Sequence, residues 1–213
     1  VNHALMGEAL RRTDSRQRAV RDIFREDLFE PLGMKDTAMG VRHDLQPRHI
    51  VPDLRGTLPA ESPGRTKPGP FGIFEEEDAE MPHVGCVSTA DDMWRFAEML
   101  RGGGALDGER ILSPRTIALA TRNWTGDMDN ELYRWLALTH GGKGYPAYIG
   151  LGFSLKGEQV IPSQYGTLTS TGTFGNNGAG SSVFWVDPSV DATFVCLTAG
   201  VMNEFENIKR FQR

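Results

Sequence analysis

The stretch Gly172-Thr-Phe-Gly175-Asn176-Asn177-Gly178-Ala179-Gly180-Ser181-Ser182 is where the residue types point most directly to chemistry. It is small and polar, and it runs straight into the apolar Val183-Phe-Trp-Val186. Glycine admits close approach of a ligand or a neighbouring backbone, and asparagine supplies neutral donors and acceptors. A glycine-rich turn between two strands is the plainer reading of the same residues. The other candidates for chemistry fall away. His3, His43, His49, His83 and His140 form no HxH, HExxH or Cys/His cluster, so no metal site is expected. Cys86 and Cys196 form no CxxC and exclude a disulfide scaffold. Both are expected reduced, with Cys196 buried in a core strand. No GxSxG occurs. Gly102-Gly103-Gly104 ends a helical pattern instead of opening one, so it does not cradle phosphate, and no cofactor is expected.

The elements that must position the Asn176 stretch can be read along the chain. Residues 2–12 carry Ala4, Leu5, Ala9 and Leu10 at helical spacing, and Ser15 is placed to cap a second helix through Val20, Ile23, Phe24 and Leu28, ended by Pro31 and Gly33. Residues 41–82 hold seven of the 12 prolines and the acidic run Glu75-Glu76-Glu77-Asp78. They read as a long surface excursion, of the kind that often walls a substrate cleft. Ser88-Thr89 followed by Asp91-Asp92 starts a helix whose buried stripe is Met93, Phe96, Ala97 and Leu100. Ser113-Pro114 starts another, with Ile117, Leu119 and Ala120 on its apolar side. From Tyr148 the pattern is β: strands are expected over 149–155, 166–173, 181–186 and 192–197, and a last helix over 204–213. Helices first and short-linked strands last predict an α+β fold, with helices packed on an antiparallel sheet.

Composition narrows the partners. The 213 residues carry a net charge of −5, which argues against nucleic acid as the main partner. No apolar run is long enough for a membrane-spanning helix. With 25 Gly and 12 Pro beside 39% hydrophobic residues, the chain reads as soluble and loop-rich. No secretory leader is visible at the start, which also lacks Met; the chain is expected to begin within a longer protein.

Five segments, in order, resemble the serine β-lactamase-like superfamily of class C β-lactamases, D-Ala-D-Ala carboxypeptidases and related esterases. Phe29-Glu-Pro-Leu-Gly-Met-Lys-Asp-Thr37 is similar to its EPLGM-x-D-T segment, and Gly85-Cys-Val-Ser-Thr-Ala-Asp-Asp92 to its GG-x-x-STADD segment. Arg110-Ile-Leu-Ser-Pro114, Tyr148-Ile-Gly-Leu-Gly-Phe153 and the run from Phe174 to Pro188 match three more. The resemblance implies a serine of S-x-x-K that forms an acyl-enzyme. A Y-x-N tyrosine shares the proton transfers, and a K-T-G or H-x-G strand faces the substrate. Two backbone N–H groups hold the oxyanion.

Of these motifs only the third has a counterpart. None of the five lysines has Ser three residues before it, and none of the four tyrosines has Asn two residues after it. Val1-Asn2-His-Ala-Leu-Met-Gly7 resembles the segment that follows Y-x-N, so the first two motifs are expected upstream of Val1. Asn176-Asn177-Gly178 occupies the slot of the third motif: Gly178 matches it and Asn176 does not. By resemblance, Asn176, Asn177 and Gly178 bind substrate, and Ala179 supplies an oxyanion N–H from its backbone. Asn carries no positive charge to pair with a substrate carboxylate. The resemblance thus implies residues 1–213 as the C-terminal part of one β-lactamase-like domain lacking the early strands and the nucleophile helix. Its partner is a small-molecule substrate with an acyl carbonyl, and the isolated chain is inactive. An exposed sheet edge would be open to self-association. A non-catalytic binding module derived from the same fold is the rival reading.

Overall fold

The computed structural model describes residues 2–50, 76–83, 85–131, 134, 138, 144–158, 163, 165–178 and 182–199. Most of the proline-rich excursion (51–75) and the helix expected over 204–213 lie outside the described residues. Helix α1 (Asn2–Thr13) covers the first expected helix, but Leu5, Met6 and Leu10 are exposed and Gly7 is its buried residue. Ser15 does not cap α2 (Val20–Phe24). The Asp14 carboxylate takes the Arg18 amide at 2.8 Å and the Arg18 guanidinium at 2.7 Å, and Gln17 turns through φ +54°, so the chain closes a turn before the helix begins. α2 then widens into a π-helical turn over Arg25–Phe29, with Val20, Ile23 and Phe29 buried.

Helix α3 (Ala90–Arg101) is the centre of the packing. Thr89 caps it by accepting the Asp92 amide at 3.2 Å, Asp91 and Asp92 lie in its first turn and Arg101 in its last. Ala97, Met99 and Leu100 are fully buried, while Met93 and Phe96 are half-buried against the same core. α4 (Pro114–Ala120) is capped by Ser113, whose hydroxyl accepts the Thr116 amide at 3.0 Å. Ile117 is buried, but Leu119 faces solvent. Between the two helices, β3 (Ala105–Leu106) and β4 (Glu109–Arg110) form a hairpin that sequence patterning did not identify. Asp107 and Gly108 close it at φ +49° and +91°, the paired left-handed conformation that Asp-Gly accommodates.

β1 (Ala38–Met39) pairs antiparallel with β2 (Cys86–Val87). The main sheet follows as β5 (Ser154–Leu155), β6 (Phe174–Asn177), β7 (Val183–Asp187) and β8 (Ala192–Cys196), antiparallel throughout and in the order β5-β6-β7-β8. Phe96 of α3 meets Phe184 of β7 edge-on at 5.7 Å, and Phe153 meets Phe174 at 5.4 Å, so one sheet face is sealed by aromatic contacts. On the other face Trp185 stacks on Phe194 at 5.2 Å. The architecture is α+β, helices on an antiparallel sheet. The outer edge of β8 pairs with no strand among the described residues. Both cysteines are free, but Cys196 is half-buried on that edge strand rather than buried.

The strand expected over 166–173 is a series of turns, and the strand lies one step later, at Phe174–Asn177. Asp187 is the cause. Its buried carboxylate accepts the Ser170 amide at 2.7 Å and the Ser189 amide at 3.1 Å, taking a backbone donor that a ladder would need. The Thr173 amide closes a turn onto the Ser170 carbonyl at 3.0 Å. Burial alone would raise the Asp187 carboxyl, but these hydrogen bonds outweigh it and hold the group below the ordinary carboxylate range. The expected 149–155 strand is likewise mostly a tight turn, with only Ser154–Leu155 in the sheet.

Candidate functional site

The shift of β6 puts Gly175, Asn176 and Asn177 inside the sheet rather than in a turn. Pairing with β7 fixes them in register: Gly175 lies opposite Trp185, Asn176 opposite Phe184 and Asn177 opposite Val183. A Cβ on Gly175 would lie 2.1 Å from the Phe184 carbonyl oxygen and 2.7 Å from the Trp185 Cα, so glycine is what lets the two backbones close. Asn176 donates from Nδ2 to the Gly152 carbonyl at 3.1 Å and accepts the Asn177 amide on Oδ1 at 2.9 Å. Its amide plane is therefore fixed at both ends. The Gly178 amide bonds the Ser182 carbonyl at 2.8 Å and narrows the hairpin. Ala179 lies outside the described residues.

Asn176, Asn177 and Gly178 share one wall of a cavity of about 700 Å³. Two remote segments line it as well, residues 36–50, including Asp36, Leu45, Arg48 and Ile50, and residues 86–93, including Ser88, Thr89 and Met93; the start of β7 and residues 197–199 after β8 complete it. The first of these contains the Asp-Thr end of the Phe29–Thr37 segment; the second contains Ser-Thr-Ala-Asp-Asp. They meet at Asp92, whose buried carboxylate accepts the Asp36 amide and the Thr37 hydroxyl, each at 2.8 Å. Thr37 Oγ1 also lies 2.8 Å from Ser88 Oγ. That contact gives the two segments, 51 residues apart, a physical reason to occur together.

The charges on the wall are already matched. Asp36 accepts from Arg48 at 3.2 Å and at a second, shorter contact. The Arg48 guanidinium beside it holds the Asp36 carboxyl below the usual carboxylate range. Sequence reasoning missed Asp36 and Arg48. Asp36 lies within a segment that was singled out, but Arg48 carries no local signal. A second cavity of about 390 Å³, lined by Tyr148, Asp127, Glu158 and Thr171–Thr173, shares no residue with the first. Lys156 lines neither. It is 3% exposed, its Nζ has no hydrogen-bond partner among the described residues, and burial pushes its ammonium below the ordinary lysine value. Among the described residues no three His, Cys, Asp or Glu side chains gather as metal ligands, and no helix is long and apolar enough to cross a membrane.

A glycine-bearing inner strand facing a Ser-Thr-Ala-Asp-Asp helix start across a cleft is the architecture of the β-lactamase and penicillin-binding-protein class. The chain belongs to the Beta-lactamase family, whose model matches residues 1–213. It is 31% identical over 182 residues to Protein Rv1367c of Mycobacterium tuberculosis and 28% identical over 198 residues to Esterase/beta-lactamase LipL of the same organism. In each case the match takes in 82% of this chain and 42% of the relative, so the chain spans less than half the length of these curated relatives. Among solved structures it is similar to a penicillin-binding protein homolog from Caulobacter crescentus. The TM-score is 0.67 and the identity 25%, covering 99% of this chain and 55% of that one.

Proposed function

We propose that this chain forms the substrate-cleft wall and the third-motif strand of a serine hydrolase that works through an acyl-enzyme. The serine and its lysine would come from sequence beyond these 213 residues. The observation that supports this is the convergence of Asn176–Gly178, the Ser88–Thr89 helix start and the 36–50 segment on one cavity. Gly178 holds the backbone turn after β6, and Ala179 offers the oxyanion N–H. The chain itself has no Ser-x-x-Lys, so a nucleophile with a partner base is not supplied from within it. The test is covalent labelling with a fluorophosphonate, read by intact mass. The 213-residue chain is expected to take up no label. The same chain, expressed with whatever coding sequence precedes it in its gene, is expected to label stoichiometrically at a Ser-x-x-Lys serine. Asn176→Ala in that longer protein should lower turnover about 100-fold, the typical effect of losing one positioned donor. Labelling of a serine within residues 1–213 would overturn the reading.

One observation favours the rival, a cleft kept for binding alone. Asn176 spends both ends of its amide on Gly152 and Asn177, which leaves it less free to meet a substrate. A longer gene product that has no Ser-x-x-Lys and still binds acyl compounds would establish that alternative.

A further inference from the structure

We propose that the cleft selects an uncharged ester with an apolar acyl chain, and that the Asp36–Arg48 pair is what denies a place to carboxylate-bearing acyl compounds. The proposal rests on the acyl-transfer reading above, but it concerns what the cleft holds and not what attacks it.

Charge comes first. Arg48 is the one Lys or Arg side chain among the described residues of the wall, and Asp36 occupies its guanidinium through two contacts. A carboxylate ligand meets a cation already spent and a second carboxylate beside it. The strand position where the family carries Lys or His holds Asn176, a neutral amide that gives one of its two N–H donors to Gly152 and offers no charge to a carboxylate. The hydroxyls of the helix start add no charge: Ser88 lies against Thr37, and Thr89 accepts the Asp92 amide as the cap of α3. No unpaired cation among the described residues is offered to an anionic ligand, and moving an anion onto this wall would cost it hydration without return.

Apolar surface comes second. Leu45, Ile50, Met93 and Leu197 line the same cavity, and Ile50 and Leu197 are 71% and 37% exposed. An acyl chain laid along them buries surface that the protein leaves open to water, and the cavity has the volume of an ordinary small-molecule site. Affinity should then grow with chain length, by up to about fourfold per methylene.

The experiment measures binding to the 213-residue chain by calorimetry. The ligands are methyl butanoate, hexanoate and octanoate, the three matching carboxylates, and benzylpenicillin. The expected result is that each methyl ester binds more tightly than its carboxylate and that affinity rises along the ester series. Ile50→Asp, at an exposed position, should flatten that rise. Asp36→Asn keeps the backbone amide that bonds Asp92 and releases Arg48 (circular dichroism checks the fold). It should raise octanoate affinity by up to about fivefold, as for an exposed ion pair, and leave methyl octanoate unchanged. Carboxylates or benzylpenicillin binding as tightly as the octanoate ester, affinity independent of chain length, or an Asp36→Asn variant with the original preference would each overturn the proposal. Failure to label a serine in the longer gene product would instead sink the hydrolase reading and leave this preference standing.

Discussion

Replacing Lys156 by Met should stabilise the chain, contrary to the usual effect of a core substitution. Lys156 is 3% exposed and its Nζ has no hydrogen-bond partner among the described residues. An unsatisfied buried polar group costs about 1–3 kcal/mol. Met keeps the length of the stem, fills the same space and removes the amine, so the gain should be of that order. For a domain of this size it corresponds to a rise in Tm of roughly 2–12 °C. The pH dependence gives a second, independent check. Burial lowers the folded-state value of the amine, while the unfolded chain titrates near the ordinary lysine value of about 10.4. Between the two, the unfolded chain holds a proton that the folded chain lacks, so wild-type stability rises with pH through that window. Below the folded value the charge penalty is paid in full. The gap between Lys156→Met and wild type should be widest at neutral and lower pH and should narrow toward pH 10. Thermal melts of both proteins across that range supply the readout. A variant less stable than wild type, or a gap that does not change with pH, would refute the reasoning.

Two further substitutions test the frame of the site. Asp187→Ala removes a buried carboxylate that holds the Ser170 and Ser189 amides and should cost about 2–4 kcal/mol in denaturant unfolding. Because the Asp187 carboxyl is held below its ordinary range, its contribution is present above that range and is lost as pH falls through the folded value. The variant should therefore show a shallower acid transition than wild type, and parallel acid curves would count against this. Gly175→Val forces a side chain into the β7 backbone and should cost about 3 kcal/mol or more. It should also shift the amide resonances of Phe184 and Trp185, and an unchanged melt would show that β6 and β7 do not close as described.

The parts of the fold that were legible in the sequence are those where one residue's chemistry decides the local outcome. Thr89 and Ser113-Pro114 cap helices because a hydroxyl acceptor or an imino acid at the first turn works whatever packs nearby. Residues 183–187 and 192–196 are strands because their apolar and β-branched residues fit a covered sheet. Expectation failed where a distant partner decided. The Thr-rich 166–173 segment has strand propensity, but Asp187 takes the Ser170 amide. Ser15 can cap a helix, but Asp14 and Arg18 close the turn first. Leu5 and Leu10 form a helical stripe, but among the described residues they have no core to meet. The Asp107-Gly108 turn was readable and was passed over. As for the candidate site, Asn176–Gly178 stood out by composition, whereas the cavity is built from residues as far apart as Asp36 and Ala199, whose juxtaposition only the fold supplies.

The Asp92 junction has a consequence for how the cleft responds to a ligand. Asp92 sits in the first turn of α3, and α3 is clamped to the sheet through Phe96 and Phe184. From Asp92 the constraint passes to the Asp36 amide, and from the Asp36 carboxylate to Arg48 on the cavity wall. This part of the rim is therefore tethered to the core through hydrogen bonds and does not have to be ordered when a ligand arrives. The loss of freedom has been met during folding, so less of the ligand's contact energy is consumed in arranging the wall. Loosening Asp92 would reverse this: the same side chains would line the cleft, each ligand would bind more weakly, and the deficit would appear in the entropy of binding.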